Sequence, residues 1–134
     1  MREILFRGKS LRSNEWVYGD LLQNSDGERK SIVPFNDGYN VFDELLADNN
    51  TIGQYTGIKD KNGTKIFEGD ILYTKHGAKI EGNGYYESYH EVVFKNGAFG
   101  VIGEIEGEFL SFDYLPLDNE VVCGNIYENE ELLK

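Results

Sequence analysis

The chain has 134 residues and a formal net charge of -11, with 13% aromatic residues, 16 glycines and one cysteine. A surface that binds nucleic-acid phosphates needs clustered lysine and arginine, so this charge argues against direct nucleic-acid binding. One cysteine excludes an internal disulfide, no run approaches the roughly 18 apolar residues of a membrane span, and the charged first residues are unlike a signal peptide. We therefore expect a cytoplasmic protein that does not enter a membrane, rich in strands because aromatic residues and glycines favour strands and turns.

The negative charge is concentrated at the C-terminal end of the chain. Residues 101–134 contain nine acidic residues and one basic residue, Lys134. Solubility alone accounts for a charge surplus of this kind. The more specific alternatives are a surface that engages a basic partner and a surface that imitates nucleic acid.

The N-terminal third predicts short strands joined by turns. Residues 4–6 and residues 15–22 are rich in branched and aromatic side chains, which is typical of strands. Ser25-Asp26-Gly27 is a tight-turn signal, so the chain is expected to fold back into a strand at residues 31–33. Residues 41–47 place apolar side chains four apart, which predicts one or two helical turns.

Residues 51–70, TIGQYTGIKDKNGTKIFEGD, form a central stretch with the densest turn chemistry in the chain. A strand is predicted at residues 52–58, with the return strand at residues 65–67. The residues between these strands predict a turn, because Asp60 can accept backbone hydrogen bonds while Asn62 and Gly63 tolerate positive φ. Glu68-Gly69-Asp70 predicts a second, tighter corner.

The C-terminal half predicts a succession of short strands, at residues 71–73, 89–94, 98–102, 109–114 and 120–127. Asn96-Gly97 is the strongest hairpin signal in the chain. We expect a mobile loop at residues 76–84, and a last helical turn at residues 128–134 whose Leu132 and Leu133 pack on the strands. Cys123 lies in an apolar run and is expected to be a small core residue.

Five short strands with regularly spaced turns suggest a small SH3-like barrel. The predicted fold class is therefore mostly β with little helix. An N-terminal β-hairpin region is expected at residues 1–66 and a C-terminal SH3-like small barrel at residues 67–134, the two forming a single unit.

Five segments carry a pattern that extends over nearly the whole chain: REILFR at 2–7, WVYGD at 16–20, TIGQYTGIKDKNG at 51–63, IFEGDI at 66–71 and GNIYEN at 124–129. Together they resemble the YopX family. The resemblance implies a protein of phages or prophages of Gram-positive bacteria with an SH3-like C-terminal part. It implies no catalytic residue, because the molecular function of the family is uncharacterised. Glu130 stands where the family pattern leads us to expect proline, and residues 35–50 have no counterpart.

No residue pattern predicts catalysis, a metal site or a cofactor. The two histidines and the cysteine are far apart in sequence, whereas a metal site or an activated nucleophile needs such groups at defined spacing. Asp60, Glu68 and Asp70 gather at the turns of the central stretch. Such carboxylates could act as acid and base or hold a hard cation, but an aspartate in a turn more often accepts hydrogen bonds from its own backbone.

We predict a non-catalytic binding module rather than an enzyme, namely a phage or prophage accessory protein that binds a host or phage protein in the bacterial cytoplasm. The candidate binding surface combines aromatic and charged side chains: Tyr55, Lys59, Asp60, Lys61, Glu68, Asp70, Tyr85, Tyr86 and Tyr89. Homo-oligomerisation is left open. The alternatives are an acidic mimic of DNA or a protein associated with nucleic-acid machinery, and a small enzyme that uses the turn carboxylates.

Overall fold

The computed structural model describes residues 2–34, 46–76, 86–103, 107–113, 117 and 119–134, although the side chains of His76 and Tyr86 fall outside the description. The elements of these residues are almost entirely strands, which confirms the prediction of a mostly β fold with little helix. The strands are β1 (Phe6–Lys9), β2 (Trp16–Gln23), β3 (Lys30–Val33), β4 (Gly53–Lys59), β5 (Lys65–Phe67), β6 (Asp70–His76), β7 (Tyr86–Lys95), β8 (Ala98–Ile102), β9 (Phe109–Ser111) and β10 (Val121–Asn125). Single 3-10 turns lie at Asn49–Thr51 and Glu130–Leu133.

The chain divides into two compact units, Met1–Gly57 and Ile58–Lys134. The boundary falls inside β4, earlier in the chain than the predicted boundary between residues 66 and 67. The strands form two antiparallel sheets, one in the order β3-β2-β1-β4-β5 and the other in the order β10-β6-β7-β8-β9. The SH3-like barrel stays a prediction, because this order places β10 and β9 at the two edges of the second sheet.

The first unit is built on the predicted hairpin of β2 and β3. The turn between them follows its sequence, since Gly27 has a φ of 74° and Asp26 Oδ1 accepts a hydrogen bond from the Glu28 N–H. Gly19 of β2 lies so close to β3 that an added Cβ would collide with the Val33 carbonyl. Only a residue without a side chain fits there, so this position fixes the approach of the two strands.

Two N-terminal predictions need adjustment. The first strand begins at Phe6 rather than Ile4, whose side chain is exposed. Residues 41–45 of the predicted helical turns lie outside the described residues. The last two residues, Leu46 and Ala47, form isolated antiparallel bridges and are therefore extended rather than helical.

The second unit contains the predicted hairpin of β7 and β8. Asn96 and Gly97 have φ values of 55° and 81°, as a two-residue hairpin turn with the native strand twist requires. From the far end of the chain, β10 returns to pair with β6, and the register shifts between Val122 and Gly124. Cys123 lies at this bulge and is exposed. The expectation that Cys123 is a core residue is therefore wrong, because the bulge breaks the alternation of the strand.

The core of the second unit is a cluster of buried apolar side chains from β5 to β8 and the residue after β9: Ile66, Leu72, Val92, Val101 and Phe112. Burial of a side chain of this size contributes about 1.5–3 kcal/mol relative to exposure. This cluster packs β5, β6, β7 and β8 against one another.

The end of the chain, the end of β9 and the start of the predicted loop at residues 76–84 differ in detail from expectation. The last helical turn is a 3-10 turn at Glu130–Leu133 without a buried residue, so Leu132 and Leu133 pack only partly on the strands. Strand β9 ends at Ser111, before the predicted end at residue 114. Most of the predicted loop at residues 76–84 lies outside the described residues, and its first residue, His76, belongs to β6.

Candidate functional site

The turn between β4 and β5 is organised by the Asp60 carboxylate. Asp60 is buried, and its Oδ1 accepts hydrogen bonds from the backbone N–H groups of Asn62 and Thr64, both at 2.9 Å. Its Oδ2 accepts a third from the Val122 N–H in β10, also at 2.9 Å. One side chain therefore closes its own turn and holds a strand 62 residues further along the chain.

The corner between β5 and β6 is organised by Gly69 and Asp70. Asp70 is buried, and its Oδ2 accepts a hydrogen bond of 2.7 Å from the Phe67 N–H. The Gly69 N–H donates to the Val92 carbonyl of β7, and the Gly69 carbonyl accepts from the Ile126 N–H after β10. The corner is thus bonded to the strands on both sides of β6.

This geometry assigns structural tasks to both aspartates of the central stretch. A catalytic acid or base must bring its carboxyl group within reach of a substrate. Both oxygens of Asp60 and one of Asp70 instead face backbone N–H groups. The contacts are those of turn-forming carboxylates, the more frequent role of aspartate in a turn.

Burial removes part of the predicted binding surface. Tyr55 is 5% exposed, Asp60 6% and Asp70 2%. A side chain buried to this degree offers almost no area to a partner, so these three residues are withdrawn from the surface as a correction. The prediction for Tyr55 was wrong because its side of β4 is covered in the fold. The alternation of residues along one strand does not show which side of that strand is covered.

The remaining predicted surface residues lie in several places. Lys59 and Lys61 are exposed beside the first turn of the central stretch, and Glu68 is half-buried at the second. Tyr85 lies outside the described residues, as does the side chain of Tyr86. Tyr89, in the middle of β7, is half-buried.

Tyr89 belongs to a small polar and aromatic cluster on one face of the second sheet. It is paired with Tyr73 of β6, and the two ring centroids are 5.3 Å apart with the planes tilted by 50°. The Tyr73 hydroxyl donates a hydrogen bond of 3.0 Å to Glu87 Oε1. Partial desolvation and then the Glu87 carboxylate raise the pKa of Tyr73, so this hydroxyl keeps its proton and its role as donor.

Tyr89 of this cluster also lines a cleft of about 370 Å³ at the end of β8. Its lining comes from β7, from the end of β8 and the segment after it, and from the C-terminal turn: Tyr89, His90, Glu91, Ile102, Gly103, Gly107 and Leu133. Burial raises the pKa of the half-buried Glu91 carboxyl above its ordinary value. Within the part of the chain that the structure describes, no group donates a hydrogen bond to the Glu91 carboxylate or forms an ion pair with it.

Sequence reasoning did not find Tyr73, Glu87 or Glu91. A signal was present, since the YESYHEV segment alternates, and strand periodicity places Glu87, Tyr89 and Glu91 on one face of β7. The pairing of Tyr73 with Tyr89 requires the register of two strands, which the sequence does not state.

His90 lies between this cleft and a smaller cavity on the other side of β7. That cavity measures about 190 Å³ and is lined by Leu72, Thr74, Ser88, His90, Val101, Leu110 and Glu120. The His90 Nδ1 is 3.0 Å from the Ile102 carbonyl oxygen. A carbonyl only accepts, so Nδ1 is the donor and the ring orientation is fixed by the backbone of β8.

Neither a candidate metal-binding cluster nor a helix able to span a membrane occurs in the described residues. Across these ranges, no three or more histidine, cysteine, aspartate or glutamate side chains are grouped so that they could hold a metal ion. The described helical segments include none with the length and apolar character needed to cross a membrane.

Fold and site together define a two-sheet antiparallel β protein whose turn carboxylates fix the strands and whose second sheet carries an acidic aromatic face. The model of the family described as YopX protein matches residues 5–134, and the chain belongs to this family. It is similar to the crystal structure of protein EF1440 from Enterococcus faecalis, with a TM-score of 0.59, 26% identity and coverage of 100% of both chains. Among curated proteins, none matches the chain.

Proposed function

We propose that this protein is a non-catalytic accessory protein of a phage or prophage, and that it acts by binding another protein in the cytoplasm of the bacterial host. One observation carries the proposal: Glu87, Tyr89 and Glu91 share one face of β7, and Tyr89 and Glu91 of this face line a cleft. Aromatic side chains in such positions supply much of the energy of protein interfaces.

The turn carboxylates support a binding function over catalysis. Asp60 and Asp70 are two of the three carboxylates considered as a catalytic acid and base in the central stretch, and both are buried and bonded to backbone N–H groups. Their contacts hold the sheet on which the β7 face is displayed. A rigid display of side chains on strands favours recognition, because little conformational entropy is lost when a partner binds.

The charge of the second unit favours a basic partner. Among the described residues after 106, five acidic side chains are exposed: Glu108, Asp113, Glu128, Glu130 and Glu131. Complementary potentials accelerate association and suppress unsuitable partners. An acidic protein of this kind therefore selects partners with a positively charged surface.

The same exposed carboxylates favour a second candidate function, a mimic of DNA that occupies a nucleic-acid-binding protein. The two candidates differ in their sensitivity to salt. A mimic that replaces many phosphate contacts should lose most of its affinity between low and high ionic strength, whereas a partner held by the β7 face should lose less.

The test is affinity capture from a lysate of a Gram-positive host, followed by calorimetry with the purified partner. Tyr89→Ser should weaken binding by about 1–3 kcal/mol, the range for loss of an aromatic contact at an interface. Tyr18→Ser is the matched control, since Tyr18 is an exposed tyrosine of the first unit. Light scattering of the free protein at the same concentrations reports self-association. Equal binding by wild type and Tyr89→Ser, or turnover of a substrate without any bound partner, would contradict the proposal.

A further inference from the structure

We infer that the cleft beside Tyr89 and Glu91 is a recognition pocket for an arginine side chain of the partner protein. This inference rests on the proposed function and specifies the chemistry of its interface. Three features of the cleft carry it: an immobilised aromatic wall, a carboxylate without a donor among the described residues, and an acidic rim.

The aromatic wall, Tyr89, is held in place by side chains of the same sheet. The ring of Tyr89 packs against Tyr73, and the Tyr73 hydroxyl is bonded to Glu87. Both tyrosines lie on paired strands of the sheet. A fixed aromatic face is a favourable surface for a guanidinium group, which is planar, weakly hydrated and stacks on aromatic rings.

The carboxylate supplies the specificity. Glu91 is half-buried in the cleft, and its desolvation is not offset by a hydrogen bond from any described residue. A guanidinium presents two parallel N–H groups that match the two oxygens of a carboxylate. Lysine offers a single point charge in the same place, and a neutral side chain would leave the carboxylate desolvated and unpaired.

The other walls suit the rest of an arginine residue. Ile102 and Leu133 contribute apolar surface, which can cover the three methylene groups of an arginine side chain. The volume of about 370 Å³ lies in the range of about 300–1,000 Å³ typical of ligand pockets, so parts of the neighbouring peptide also fit.

The rim excludes anionic ligands. Glu108 follows the cleft residue Gly107, and Glu130 and Glu131 lie on the turn that carries Leu133. All three are exposed. Their field attracts a cation and repels phosphates and carboxylates, so a nucleotide or an acidic metabolite is a poor occupant.

The experiment is a nuclear magnetic resonance titration of the full chain with a short capped peptide, acetyl-Gly-Arg-Gly-amide. The control peptide contains citrulline, which has nearly the same shape as arginine but no charge. We expect saturable shifts confined to the backbone amides of the residues that line the cleft, 89–91, 102–103, 107 and 133. The citrulline peptide should bind at least about tenfold more weakly, as loss of a charge-assisted hydrogen bond predicts.

Two variants localise the effect. Glu91→Gln should weaken binding of the arginine peptide by about tenfold or more. The backbone amide resonances of the other residues of this variant should be the same as in the wild type. Asp113→Asn removes the same charge from an exposed position that does not line the cleft, and should leave the affinity within about twofold. Equal binding of both peptides, equal effects of the two variants, or shifts elsewhere in the chain would each overturn the inference.

The outcome is separable from that of the proposed function. If the captured partner depends on Tyr89 but binds Glu91→Gln as tightly as the wild type, the binding function stands and the arginine pocket does not. If the arginine peptide binds as expected and no partner is captured, the pocket stands and the proposed function fails.

Discussion

Replacing Asp60 with asparagine should separate the two tasks of this side chain. An asparagine carbonyl in the position of Oδ1 can still accept from the N–H groups of Asn62 and Thr64. Its amide nitrogen would then face the Val122 N–H, so that two donors meet where a donor and an acceptor met. The turn should persist while its connection to β10 is lost.

The magnitude follows from the number and type of bonds. A hydrogen bond to a charged group contributes about 1.5–3 kcal/mol, and Asp60→Asn loses one that is partly buried, so we expect destabilisation by about 2 kcal/mol. Asp60→Ala leaves all three N–H groups without their acceptor. Because water can reach the exposed turn, we expect about 3–5 kcal/mol rather than three times the single-bond value.

The assay is urea unfolding of the second unit followed by the amide resonances of β7 and β10, together with hydrogen exchange. In Asp60→Asn, exchange at Val122 should accelerate by about thirtyfold, the equivalent of about 2 kcal/mol. Asn62 and Thr64 should keep their protection in this variant and lose it in Asp60→Ala. A change below about 0.5 kcal/mol in both variants, or equal exchange at Val122 in wild type and Asp60→Asn, would refute the reasoning.

Two further predictions concern the corner and the cleft of the second unit. Gly69 has a φ of 87°, and an added Cβ would lie 2.9 Å from the Tyr127 ring, so Gly69→Ala should lower the free energy of thermal unfolding by about 2–3 kcal/mol. Gly63 has a similar φ of 85° but open space around it, so the control Gly63→Ala should cost only about 1–2 kcal/mol. Equal losses in the two variants would refute the contact with the Tyr127 ring. Burial raises the pKa of Glu91, so the ionised carboxylate lowers the stability of the folded protein above that pKa. Glu91→Gln should therefore be slightly more stable than wild type at neutral pH. The gain should be less than about 1 kcal/mol, because the group is half-solvated. The difference should disappear as pH falls below about 4.3, and a pH-independent difference for Glu91→Gln would count against the desolvation.

The candidate surface could be predicted only in part from sequence. Tyr89 was found because aromatic residues stand out in a polar region, and it lies at the cleft. Glu91 and Tyr73 were not found, since their importance depends on which strands are neighbours and on what covers each face. Tyr55 was included wrongly as a surface residue, because the same β-strand residue is exposed or buried according to the layer packed against it.

The sequence by itself determined the turns, and with them the mostly β fold. Asn96-Gly97, Asp26-Gly27 and the Asp60 turn adopt the expected local structures, because positive φ and side-chain caps depend on residues next to each other in the chain. The tertiary structure decided which strands pair over long distances, as β10 does with β6. It also joined Asp60 to Val122, and brought Glu91 and Leu133 to one cleft. Such contacts lie far apart in sequence and depend on register and layer packing, which no local pattern encodes.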